Sequence, residues 1–147
     1  MIELNGLQIN VLAVLVATVA SFAIGMLWYA VLFMKPWAKE MGFDPNMRPS
    51  GKVMARNIAL SLIGNFLFAW VLAFYFAGWR LLPGGPSEFG ALAFGLNSAL
   101  SVWIGFFLPM HLSRVVWEKH SWKLFFINSG YNLVATAVVG LIIAYWI

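Results

Sequence analysis

The side chains of this chain that can do chemistry inside its apolar segments are almost all uncharged. Near the C-terminus the stretch INSGYNLVAT (127–136) sets Asn128, Asn132 and Thr136 four residues apart, with Tyr131 among them. Asn57, Ser61 and Asn65 repeat that spacing earlier, and Ser21, Trp28, Tyr29 and His111 complete the set. Residues four apart share one face of a helix. Amides and hydroxyls on such a face either hydrogen-bond to a neighbouring helix or line a pocket for a small neutral polar or lipidic molecule. Proton or ion coupling calls for carboxylates or basic groups at the same place. Only His111 comes near to supplying one. A metal or haem centre needs several converging ligands, whereas His111 and His120 are the only histidines and cysteine is absent. The residues point to no metal and no cofactor and to a protein that is not an enzyme, with His111 or His120 at the cytoplasmic interface the one credible chemistry for the third-ranked enzyme reading.

The elements that must position these residues follow from composition. The 147 residues are 63% hydrophobic and 10% charged, with a mean hydropathy of +0.87, outside the range of a water-soluble domain. About 20 apolar helical residues cross a bilayer core of roughly 30 Å. Runs of that kind lie at about 9–34, 54–78, 90–112 and 124–147. Backbone groups in lipid must be satisfied within the segment, and strict apolar–polar alternation is absent, so the runs are helices rather than barrel strands. The reading is a single all-α transmembrane domain, a four-helix bundle over 1–147. The leader MIELNGLQ carries Glu3 and no Lys or Arg, which favours a retained first span over a secretory signal.

Basic residues concentrate in two connections: Lys35, Lys39, Arg48, Lys52 and Arg56 after the first run, and Arg114, Lys119 and Lys123 between the third and fourth. Short loops rich in Lys and Arg stay in the cytoplasm. Both termini are therefore expected outside. Trp28, Tyr29, Trp37, Trp117 and Trp122 would mark the inner interface, and Tyr75, Trp79, Tyr145 and Trp146 the outer. The basic loops read as topology signals in contact with anionic lipid rather than nucleic-acid sites, and Glu40, Asp44 and Glu118 as solvated partners within them. In KPWAKEMGFDPNMRPSGK (35–52), Trp37, Met41 and Phe43 can lie along the interface, while Pro45, Pro49 and Gly51 break any helix. Gly84-Gly85-Pro86 reads as a tight exterior turn.

Four-residue spacing gives every run one seam of small or polar side chains. Span one has Ala13, Ala17, Ser21 and Gly25; span two has Asn57, Ser61, Asn65, Ala69, Ala73 and Ala77. Span three has Asn97, Ser101, Gly105 and Pro109; span four has Asn128, Asn132, Thr136, Gly140 and Ala144. Small-xxx-small seams let helix backbones approach in lipid, so the four seams are expected to face one another. Most of the hydrogen-bonding groups fall in the cytoplasmic half. Packing alone does not require that bias, and a polar pocket there is the alternative use. Pro109 removes a helical donor and predicts a kink in span three.

LWYAVLFMKPWAKEMGF (27–43) and KLFFINSGYNL (123–133) together resemble the family known as domain of unknown function 1761, small bacterial membrane proteins with four spans. The matching positions are Trp28, Tyr29, Phe33, Lys35 and Trp37, then Leu124, Phe125, Ile127, Asn128, Gly130 and Tyr131. Where the family often has Ser-Pro after Trp-Tyr, this chain has Ala30-Val31. The resemblance implies membership without a mechanism. It fits a small structural or accessory protein, multi-pass in the bacterial inner membrane. Its expected partners are membrane lipids and a second copy or a larger membrane complex.

Overall fold

A computed structural model describes residues 1–4, 6–44, 46–83 and 86–146. A short antiparallel hairpin, β1 (Ile2–Leu4) with β2 (Leu7–Ile9), precedes the helices. They are α1 (Val11–Leu27), α2 (Met34–Met41), α3 (Gly51–Trp79), α4 (Pro86–Val102), α5 (Leu108–Trp117) and α6 (Trp122–Trp146). One π-helical turn, Trp28–Leu32, prolongs α1, and another, Trp103–Phe107, joins α4 to α5. Four helices are thus long and apolar enough to cross a membrane: Val11–Leu32, Gly51–Trp79, Glu88–Trp117 and Trp122–Trp146. This is a multi-pass membrane protein, all-α apart from the hairpin. Gly84, Gly85, Pro45 and Ile147, which belong to the expected exterior turn, the expected helix break and the end of span four, lie outside the described residues.

Local chemistry sets the boundaries. Asn10 caps α1: its Oδ1 accepts from the amides of Leu12 and Ala13 at 3.1 and 3.3 Å, and its Nδ2 donates to the Trp146 carbonyl at 3.1 Å. Gly42, at φ +71°, closes α2 in the left-handed conformation. Ser50 caps α3 through the Val53 amide, so Gly51 opens that helix instead of breaking it. Ser121 caps α6, accepting from Leu124 at 3.1 Å while its hydroxyl donates to Glu40 on α2. Glu40 is thereby a structural partner of the α6 cap rather than a solvated salt link.

α6 is the central element, packed on α1 on one side and on α4 and α5 on the other; α3 packs chiefly on α1. Three of the four expected seams face inward. Ala13, Ala17 and Ser21, then Ala69, Ala73 and Ala77, then Thr136, Gly140 and Ala144 are all buried. The seam expected on span three does not: Asn97, Ser101, Gly105 and Pro109 are exposed, and Phe94, Gly95, Ser98 and Ala99 are buried instead. The close approach explains this. A Cβ built on Gly95 would lie 3.1 Å from both the Cβ of Ala144 and the carbonyl oxygen of Gly140. Gly95-xxx-Ala99 meets Gly140-xxx-Ala144, and that pairing rolls Asn97 and Ser101 away. Asn57 and Ser61 also depart from expectation. Residues 51–64 of α3 bury no side chain, so both are exposed.

Pro109 is accommodated without ending span three, because the π turn before it has already shifted the ladder: Leu108 N–H reaches the Trp103 carbonyl. In span one, Ala30-Val31 lie inside the other π turn, where Phe33 N–H reaches Trp28 at 2.8 Å. A π turn thus occupies the position at which the resembling family often carries a proline.

Candidate functional site

The polar set converges at the end of the bundle that carries α2 and the α5–α6 connection, here called the basic end. Tyr29 donates its hydroxyl to Asn128 Oδ1 at 2.9 Å. The Ser21 hydroxyl, 1% exposed, donates to Asn65 Oδ1 at 3.1 Å. The Asn132 amide meets Nε2 of His111 at 2.7 Å, and His111 is 4% exposed. With Nδ2 donating, Nε2 accepts and the imidazole proton sits on Nδ1. Each bond joins two spans: the first to the fourth, the first to the second, and the third to the fourth.

Two tryptophans make the same contact from opposite sides of α6. Trp28 donates Nε1–H to the Ile127 carbonyl at 2.9 Å, and Trp103 donates to the Ser129 carbonyl at 2.8 Å. Each tryptophan opens one of the π turns. A helical carbonyl keeps a second lone pair after its ladder bond, so it can accept from a neighbouring indole. Trp103 was not among the residues singled out from the sequence. The aromatic-rich stretch WIGFF that it opens is the signal that marks it.

Tyr131 packs its ring on Tyr29, with centroids 5.1 Å apart, and lies against Gly25, where a built Cβ would sit 3.3 Å from the hydroxyl. Thr136 is 1% exposed, and its Oγ1 has no hydrogen-bond partner. Of the eleven residues singled out, nine therefore gather on α1, α5, α6 and the middle of α3, whereas Asn57 and Ser61 stand open on the first half of α3. The chemistry of this set is hydrogen bonding between helices, and Asn57 and Ser61 are exposed and open to hydrogen-bonding groups from outside the bundle. A cleft of about 280 Å³ lies at the other end, lined by Trp79, Leu82, Phe89, Phe94 and Asn97.

The contact between His111 and Asn132 has a measurable strength. Interhelical hydrogen bonds in lipid average about 0.6 kcal/mol and reach about 1.7. A buried imidazole in so short a contact belongs near the upper value. In a double-mutant cycle built from His111→Leu and Asn132→Leu, followed by reversible unfolding in bicelles, a coupling of about 1.5 kcal/mol is expected. The same cycle on exposed Ser101 with Asn132 should give none.

The family described as "Protein of unknown function (DUF1761)" matches this chain over residues 12–144. That range takes in all four spans, and the chain belongs to the family. No curated protein and no solved structure matches it.

Proposed function

We propose that this member of the DUF1761 family is a non-enzymatic accessory protein of the bacterial inner membrane, with its basic end in the cytoplasm, acting by association with a second copy or a larger membrane complex. The observation that carries this reading is how the polar side chains of the spans are used. Tyr29, Asn65, Asn128, Asn132 and His111 are bound to partners on other helices. Side chains so engaged are suited to holding a scaffold together, which supports the accessory reading. Association is supported by span three. Gly95 and Gly140 mark the closest approach inside the bundle, while Gly105 and Ser101 offer a similarly small surface with open space above Gly105. Since the chain has no cysteine, Gly105→Cys gives a single reporter. Cross-linking across Gly105→Cys in liposomes, to itself or to a co-purifying membrane protein, is the expected result. A strict monomer in both detergent and nanodiscs, with no partner retained, would refute the association.

A second reading is that the chain binds a small neutral polar or lipidic ligand at the basic end. Asn57 and Ser61 support it. They continue the polar spacing of Asn65 yet stand exposed.

A further inference from the structure

The first half of α3 stands apart from the bundle in a way that packing does not account for. Its residues 51–64 bury no side chain, although Asn65 and Ala69 directly beyond them join the core. Asn57, Ser61 and Phe68 fall at spacings of four and seven, on one face. Phe68 meets Phe107 of span three edge-to-face, with centroids 5.5 Å apart. That contact closes the space between α3 and span three at mid-depth, and α5 leans on α6 rather than on α3 below it. Arg114 lies seven residues after Phe107, on the same side of α5. It is only half-exposed.

Basic residues outnumber carboxylates at this end. From Arg48 to Gly64 the chain carries Arg48, Lys52 and Arg56 and no carboxylate. Among the described residues the ion pair within 4.0 Å is His120 with Glu118, so neither Arg56 nor Arg114 has a carboxylate in reach. Depth supplies the remaining constraint. α3 has 29 residues, about 44 Å at 1.5 Å per residue, which matches a bilayer with its headgroup regions rather than the core alone. With Trp79 at the far interface, Arg56 lies about 34 Å away at phosphate level with Asn57 beside it at the glycerol esters, and Ser61, about 27 Å away, falls just inside the acyl region with exposed Leu60, Ile63 and Leu67.

From these placements we infer that the recess between the first half of α3 and α5 holds the headgroup of one anionic phospholipid. Arg114 and Arg56 take its phosphate, and the Asn57 amide and Ser61 hydroxyl donate to its glycerol and ester oxygens. The inference deepens the ligand-binding reading above and rests on it. A zwitterionic headgroup brings its own cation to the phosphate, and that cation competes with the two guanidinium groups for its oxygens. A soluble anion leaves Asn57, Ser61 and the apolar flank of α3 without a use. A lipid with net negative charge answers all of them, and α3 is open to the leaflet on the side from which it would enter.

The test reads lipid retention by native mass spectrometry after reconstitution in nanodiscs of phosphatidylcholine with phosphatidylglycerol. Wild type is expected to retain one phosphatidylglycerol per chain. Arg114→Gln should weaken retention roughly tenfold, the effect of removing one charge-assisted hydrogen-bonding partner, and Arg114→Lys should restore much of it. Asn57→Leu with Ser61→Leu should weaken it without any change in charge, while Lys119→Gln with Lys123→Gln should leave it unaltered. Thermal midpoints in phosphatidylcholine alone identify any variant that fails to fold, and the alanine variant at the same position then replaces it. Equal loss in every charge variant would reduce the site to diffuse attraction and overturn the inference. Displacement of phosphatidylglycerol by inorganic phosphate at equal concentration would do the same. Equal retention of phosphatidylcholine, still lost on changing Asn57 and Ser61, would sink the anionic headgroup and leave the ligand-binding reading standing. Retention of no lipid and of no other small molecule would remove both.

Discussion

Replacing Gly140 by leucine is expected to cost about 3 kcal/mol of bundle stability, at the upper end of the usual range for overpacking. A Cβ at this position would lie 3.0 Å from the Cβ of Ala99, 3.0 Å from the carbonyl oxygen of Gly95 and 3.5 Å from Cζ of Phe76. Two of those three atoms belong to the facing helix at its backbone or first side-chain carbon, which cannot rotate away. α4 and α6 must then move apart, and theirs is the most extensive helix contact in the molecule. Even Gly140→Ala should destabilise, by about 1 kcal/mol, because the steric conflict exceeds the few tenths to 1 kcal/mol by which alanine favours a helix. Gly64→Ala gives the opposite sign. Nothing lies within 4 Å of its built Cβ, so only the helix preference remains and a small gain is expected. Steric-trap unfolding in bicelles resolves the pair. Equal effects at Gly140 and Gly64 would refute the close approach.

That approach also shows where the sequence is legible and where it stops. Span number, helical character and three of the four packing seams follow from run length and four-residue spacing, since hydrocarbon leaves the backbone little choice and small residues mark close contacts. Span three misleads because it offers two small-residue stripes. Asn97-Ser101-Gly105 and Gly95-Ala99 differ only by a rotation of the helix, and the partner surface on α6 chooses between them. Spacing within one helix carries no information about its neighbour's groove. The hairpin at the N-terminus was legible in principle: Asn5-Gly6 between ILE-GLU-LEU-type and LEU-GLN-ILE-type triplets is a strong turn signal, but apolar leaders ahead of a first span are ordinarily read for targeting instead.

For the polar set, the sequence places Asn128, Asn132 and His111 at one level but does not say which meets which. The two π turns decide that. An inserted residue turns the helix beyond it by about 100° relative to the helix before it, and the turn aims Trp28 and Trp103 at carbonyls two residues apart on α6. Neither Trp28-Leu32 nor Trp103-Phe107 contains proline, so no residue type announces the turn. Pro109 does announce a disturbance, yet places it after the turn rather than in it. The same two turns separate the structural from the open part of the set. They draw spans one and three onto α6 and leave the first half of α3, with Asn57 and Ser61, out of the cluster.

Phe76→Ala is the second large effect, and its size depends on the solvent being lipid. Phe76 is fully buried, edge-to-face with Phe94 at 5.2 Å, stacked on Trp79 at 6.0 Å and set against Gly140. In a water-soluble core such a truncation costs about 3–5 kcal/mol, of which roughly 1.5–3 is transfer of the side chain out of water. That transfer part disappears here, because the separated α3 would leave Phe76 in acyl chains as apolar as the core. The cavity part remains, about 2 kcal/mol, since the void sits where Gly95 and Gly140 already hold α4 and α6 at contact and neither can close on it. Phe68→Ala, at the half-buried edge of the same α3–span three seam, should cost less than about 1 kcal/mol, because acyl chains can fill the space it leaves. Unfolding of both variants in bicelles tests the argument. A loss of 4 kcal/mol or more at Phe76 would mean that the unfolded reference exposes this helix to water, and a loss equal to that of Phe68 would mean that Phe76 does not sit at the junction of three spans.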